Sequence, residues 1–172
     1  MLNHKIYTIG HSNIDSGKFI EILKHHGIEA VVDVRSAPYS RYAVWFNRES
    51  IRKELEGNGI NYIYMGNMLG GRPKKFSAED KATRIKGASS DAIYKKIMKN
   101  ESYREGISKL IEISGRMRTA IMCSEEDPQS CHRHILIAQT LLGAGINVLH
   151  IRGSCGVEQA KERVHQAALL EC

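Results

Sequence analysis

Apolar positions along the chain follow two spacings. Short apolar runs at residues 5–9, 30–34, 60–65, 119–122 and 147–151 read as strands. Residues 30–34, interrupted only by Asp33, and the run Thr119-Ala120-Ile121-Met122 are nearly continuous, as expected for strands buried on both faces. Between them lie segments of helical period. Asp15 is placed to cap a helix with apolar positions Phe19, Ile20, Ile22 and Leu23, with His25-His26 in its last turn and Gly27 as its stop. Asn47 is placed to cap a second helix through Leu55. Further helices are predicted over 91–99, 103–113, 134–142 and 157–170. Residues 74–88 have weak periodicity and are expected to form a loop.

Strands alternating with helices predict a single three-layer α/β domain over residues 1–172. Its sheet is expected to be mainly parallel, of about five strands, with helices on both faces. Ligands of such sheets bind beyond the carboxyl ends of the strands. Gly10-His11-Ser12, Asp33 with Arg35, Cys123 with Glu125, and His150 all fall at such ends. Four separate stretches thereby converge on one edge.

Composition narrows the class. The 172 residues are 42% hydrophobic and 26% charged, ordinary for a globular domain with its own core. No apolar run approaches the ~20 residues of a membrane span, so no membrane partner is expected. The first residues enter a strand directly, without the apolar segment of a signal peptide, which leads us to expect a cytoplasmic location. There the four cysteines are expected to be thiols or ligands rather than disulfides. The net charge is +6. The stretch 72–104 holds ten Lys and Arg against four Asp and Glu, a surplus equal to that of the whole chain. Such a segment suits nucleic acid or a phosphorylated small molecule, and equally a solvated helical face. Oligomeric state is not legible in these patterns.

Reactive side chains are densest from Met122 to Arg133, where an acidic turn joins a buried strand to a helix. Asp127 with Pro128, or Ser130 one turn later, can start that helix, putting Cys131, His132 and Arg133 in or near its first turn. Four chemistries fit. The first is an enzyme acting on nucleic acid or nucleotides, by hydrolysis or at a glycosyl bond. Glu125 and Asp33, from different strands, would divide acid and base roles, with Cys131 and His132 beside them. His11, Ser12, Arg35, Ser40, Arg41, Gly70, Gly71, Arg72, Arg133 and His150 would contact substrate or phosphate. Asp33 reads equally well as the structural partner of Arg35 or Arg133. The second is a metal site, zinc or iron, with Cys123, Cys131 and His132 as candidate ligands and His11 or His150 to complete it, although no Cys-x-x-Cys pair is present. The third is thiol chemistry, with Cys131 as nucleophile and Cys123 as its resolving partner. The fourth is a non-catalytic nucleic-acid-binding module working through the basic segment.

Several short motifs stand in a fixed order: Thr8-Ile9-Gly10-His11-Ser12, Asp33-Val34-Arg35 with Pro38, Ser40 and Arg41, Leu69-Gly70-Gly71, Met122-Cys123-Ser124-Glu125 with Cys131-His132-Arg133, and His150-Ile151. In this the chain resembles the prokaryotic DUF488 family, a domain of unknown function, from about residue 5 to residue 151. The Cys…Cys-His-Arg segment carries the most specific part of the likeness. The resemblance implies a compact α/β domain and no particular activity.

Overall fold

Alternate residues of each strand face opposite sides of one sheet. Ile6, Val32, Ile121 and Val148 enter one apolar cluster. Tyr7, Ile9, Val31, Ala120, Met122 and Ile151 enter another. This computed structural model describes residues 5–72, 90–153 and 155–163. Its strands are β1 (Lys5–Gly10), β2 (Ala30–Asp33), β3 (Asn61–Tyr64), β4 (Thr119–Cys123), β5 (Asn147–Ile151) and β6 (Val157–Gln159). They form one sheet in the order β3-β2-β4-β1-β5-β6. The first five are parallel, and β6 is antiparallel to β5.

Helices cover both faces, as the strand patterning requires. α1 (Ser16–His25) and α2 (Arg48–Gly57) pack on the Tyr7 face through Phe19, Ile22, Leu23, Ile51 and Leu55. α4 (Ser90–Lys99), α5 (Glu101–Arg116) and a π-helical segment (Arg133–Ala138) that runs into α6 (Gln139–Gly143) pack on the Ile6 face. The short α3 (Gly66–Leu69) joins that second cluster through Leu69. Asp15 caps α1 as expected, its Oδ1 accepting from the Lys18 amide at 2.9 Å. Asn47 stands at the N-terminus of α2, but its side chain accepts instead from the Ser40 amide at 2.7 Å, tying down the loop before the helix.

The structure departs from the sequence expectation in two places. The sheet has six strands rather than about five, because Val157–Gln159 is β6 and not the start of a helix over 157–170. A tight turn, with Arg152 N donating to Gly156 O at 2.8 Å and Cys155 N to Arg152 O at 2.9 Å, folds the chain back on β5. Positions 164–170 of that expected helix lie outside the described residues, as does the loop expected over 74–88. The second departure follows β4. Asp127 caps only a 3₁₀ turn, Pro128–Ser130, after which Cys131 is extended and the wide helical turn begins at Arg133.

Candidate functional site

The chain order of the sheet creates a crevice. β4 lies between β2 and β1, yet its connection leaves over the Ile6 face while theirs leave over the Tyr7 face. Adjacent strands whose connections diverge in this way leave room between their carboxyl ends. A cleft of about 670 Å³ opens there, floored by the residues that follow β1, β2 and β4.

Main-chain contacts hold the loops of β1 and β4 together. His11 N donates to Cys123 O at 3.0 Å, and Ser12 N donates to Ser124 O at 2.8 Å. Gly10 permits this approach: a Cβ there would stand 1.7 Å from Glu125 O. Arg133, fully buried, pins the same loop from beneath. Its Nη1 donates to Glu125 O, its Nη2 to Glu126 O at 2.6 Å, and its Nε to Thr8 Oγ1 at 3.2 Å. The structure thus puts Arg133 behind the cleft wall, with all three nitrogens engaged. His150 is also behind the wall. The Thr8 hydroxyl, which accepts from Arg133, is hydrogen-bonded to His150 Nδ1 at 2.7 Å, and His150 Nε2 is hydrogen-bonded to His134 Nδ1 at 2.9 Å. Both rings are neutral in this chain of bonds. Burial, then the His134 ring and Arg133 beside it, take the His150 pKa down to about 3.

Asp33 and Arg35 form a second buried unit. Arg35 Nε donates to Asp33 Oδ1 at 2.9 Å and Nη2 to Oδ2 at 2.6 Å, while the Tyr62 hydroxyl donates to Oδ2 at 2.7 Å. Asp33 is fully buried and lies outside the cleft wall, beneath the arginine it orients. Arg35 Nη1 reaches His11 Nε2 at 3.2 Å, and His11 Nδ1 donates to Ser12 O at 2.8 Å. His11 stacks on Phe46 with ring centroids 4.0 Å apart. Burial and the Arg35 cation beside it lower its pKa to about 4, so it presents a neutral ring.

The cleft's third component is a cluster of two sulfurs and an imidazole. Cys123 ends β4, Cys131 follows the 3₁₀ turn, and His132 comes next. His132 Nδ1 lies 3.7 Å from Cys123 Sγ and 3.9 Å from Cys131 Sγ. Its Nε2 donates to Val34 O at 3.1 Å, which turns Nδ1 toward the sulfurs. Gly71 packs against the ring, where a Cβ would stand 2.8 Å from His132 Cγ. Hydrogen bonding with Cys131 holds Cys123 well below the ordinary thiol range against the cost of burial, and the same contact raises Cys131.

Of the residues singled out from sequence, His11, Ser12, Arg35, Ser40, Gly71, Arg72, Cys123, Glu125, Cys131 and His132 line this cleft. Glu125 is exposed on its wall. Ser40 is occupied locally, its Oγ accepting from the Tyr42 and Ala43 amides at 3.1 Å. Arg41 is exposed on the same loop and Gly70 packs against Ser36, both outside the lining. The wall also includes Ser36, Tyr39, Tyr94 and Ser124, which had not been singled out. Ser36 directly follows Arg35 and was within reach of the strand-end argument. Tyr94 comes from α4, and no local pattern brings that helix to the cleft.

The fold and site define an α/β protein with a switch-point cleft bearing two buried cysteines and a half-buried histidine beside a carboxylate-oriented arginine. The family model described as Domain of unknown function DUF488 matches residues 15–140, and the chain belongs to that family. The matched span includes Asp33, Arg35 and the whole segment from Cys123 to Arg133. No curated protein and no solved structure matches the chain significantly. No helix among the described residues is long and apolar enough to cross a membrane.

Proposed function

We propose that the chain is an enzyme that hydrolyses a nucleotide or nucleic-acid substrate in this cleft, with Cys123, Cys131 and His132 as its reaction centre. The observation that carries this reading is the meeting of that cluster with Arg35 on one concave surface. The volume of about 670 Å³ falls within the size range of small-ligand sites. Arg35, fixed in orientation by Asp33, and Arg72 on the rim supply planar donors for phosphate. Tyr39, 71% exposed on the wall, offers a ring on which a base can stack. Glu125 is the solvent-facing carboxylate for proton transfer. The version with Asp33 as a second acid–base group has less support, because both Asp33 oxygens are engaged by Arg35 and Tyr62. Asp33 is instead assigned a positioning role. Lys74, Lys75, Lys81, Arg84 and Lys86 of the basic segment lie outside the described residues.

The test is product analysis by chromatography after incubating the full chain with nucleotides and single-stranded DNA and RNA. Turnover should fall by about 100-fold or more in Glu125→Gln and Cys123→Ser variants whose circular dichroism matches wild type. Unchanged turnover in both variants would remove the assigned centre. Tight binding of oligonucleotides with no turnover by wild type would replace the enzyme with a binding module.

A further inference from the structure

We propose that Cys123, Cys131 and His132 form a three-ligand Zn²⁺ site whose fourth position opens into the cleft. The inference rests on the reading of this cluster as the reaction centre and supplies its cofactor.

Distances carry the argument. Tetrahedral zinc holds sulfur at about 2.3 Å and nitrogen at 2.0–2.1 Å, so the sulfur–nitrogen edges of its coordination shell come to roughly 3.5–3.6 Å. The two such edges here measure 3.7 and 3.9 Å. All three donor atoms lie within 4.8 Å of one another. A small contraction would bring them onto one ion. The imidazole is also held as a metal ligand is. Nε2 donates to the Val34 carbonyl at 3.1 Å, which leaves Nδ1 as the free lone pair, and Gly71 limits rotation of the ring. The β2 end that holds the imidazole is itself tied to β4, since Val34 N donates to Met122 O at 3.1 Å.

Donor chemistry selects the ion. Two thiolates and an imidazole suit a borderline-soft cation without geometric demands of its own, and zinc meets both conditions. Two thiolate charges would also balance a divalent ion in this buried position. Among the described residues no further His, Cys, Asp or Glu joins the group. Closed structural zinc sites use four protein ligands, whereas catalytic ones use three and keep a place for water. All three ligands here line the cleft, so the fourth place faces the substrate. Water bound there would pass one proton to the Glu125 carboxylate on the same wall and remain as hydroxide, the nucleophile for hydrolysis.

The test uses the full chain, purified anaerobically under reducing conditions and loaded with Co²⁺ as a spectroscopic probe. We expect one Co²⁺ per chain, a thiolate-to-cobalt charge-transfer band in the near ultraviolet, and displacement of that band by one equivalent of Zn²⁺. Cys131→Ser and His132→Ala should each weaken binding by at least about 10-fold, since loss of even an outer partner commonly costs that much. Folded wild type that develops no such band, with Cys123 and Cys131 titrating as free thiols, overturns the proposal. Metal-free wild type that turns over nucleotide, with turnover lost in Cys123→Ser, also overturns it while leaving the active-site assignment standing. Stoichiometric metal without nucleotide turnover does the reverse, upholding the metal site and refuting the substrate reading.

Discussion

Replacing Asp33 by Asn tests whether this carboxylate positions Arg35 or does chemistry. The side chain is fully buried and accepts four hydrogen bonds: Arg35 Nε at 2.9 Å, Arg35 Nη2 at 2.6 Å, the Arg35 amide at 3.1 Å and the Tyr62 hydroxyl at 2.7 Å. Asn preserves the shape but removes the charge and turns an NH₂ toward two of those donors. The guanidinium, whose side chain is 7% exposed, is left without its counter-charge. Breaking one half of a buried ion pair costs about 3–5 kcal/mol. At a urea dependence of about 2 kcal/mol per molar, that is a midpoint shift of roughly 1.5–2.5 M. The internal control is Glu126→Gln, which breaks a bridge to Arg152 with side chains 41% and 32% exposed. That loss should stay below about 1 kcal/mol. Adding Arg35→Met to Asp33→Asn should recover much of the stability, because the uncompensated cation is gone. Urea unfolding followed by circular dichroism measures all four proteins. An Asp33→Asn loss as small as that of Glu126→Gln, with no recovery in the double variant, would refute the positioning role.

Two further outcomes follow from the packing. Gly10→Ala puts a methyl group on the Glu125 carbonyl and against Arg133 Nη1, and should destabilise by about 3 kcal/mol or more, as overpacking at backbone does; thermal denaturation checks it. The His134–His150 pair should make the fold acid-sensitive. Both folded pKa values lie below the unfolded value near 6.5, so the unfolded chain takes up protons first, and stability, full above that pH, falls as pH drops toward about 3. The slope is at most about 1.4 kcal/mol per pH unit for each ring. Urea midpoints from pH 7.5 to 4.5 should show it, reduced in His150→Gln; an identical slope in that variant would show that other groups are responsible.

The strands were legible because burial on two faces writes an apolar run into the sequence, and the Asp15 cap marked its helix plainly. Convergence on the carboxyl edge was legible because a parallel sheet places all its strand ends there. What each polar residue does at that edge was less so. Arg133, in the helical turn after β4, and His150, at the end of β5, both point into a buried hydrogen-bond chain with Thr8 and His134, and residue spacing carries no sign of inward or outward direction. Asp33 was open between catalysis and ion pairing until Tyr62, 29 positions away, was seen to occupy its second oxygen. β6 was misread because three residues are too few to show a period of two against a helical pattern that runs beyond them.

The joining of the β1 and β4 loops has a consequence for how such a site can change. His11 and Ser12 grip the opposite loop by their amides, and Arg133 grips carbonyl oxygens. None of these bonds reads the side chains of Ser12, Ser124 or Glu125. Ser12 and Ser124 can therefore exchange size and hydrogen-bonding character while Glu125 and the cluster of sulfur and imidazole beneath them keep their geometry. A scaffold divided in this way lets substrate preference drift over generations without renegotiating the chemistry, and a library randomised at those positions alone is the place to look for altered selectivity.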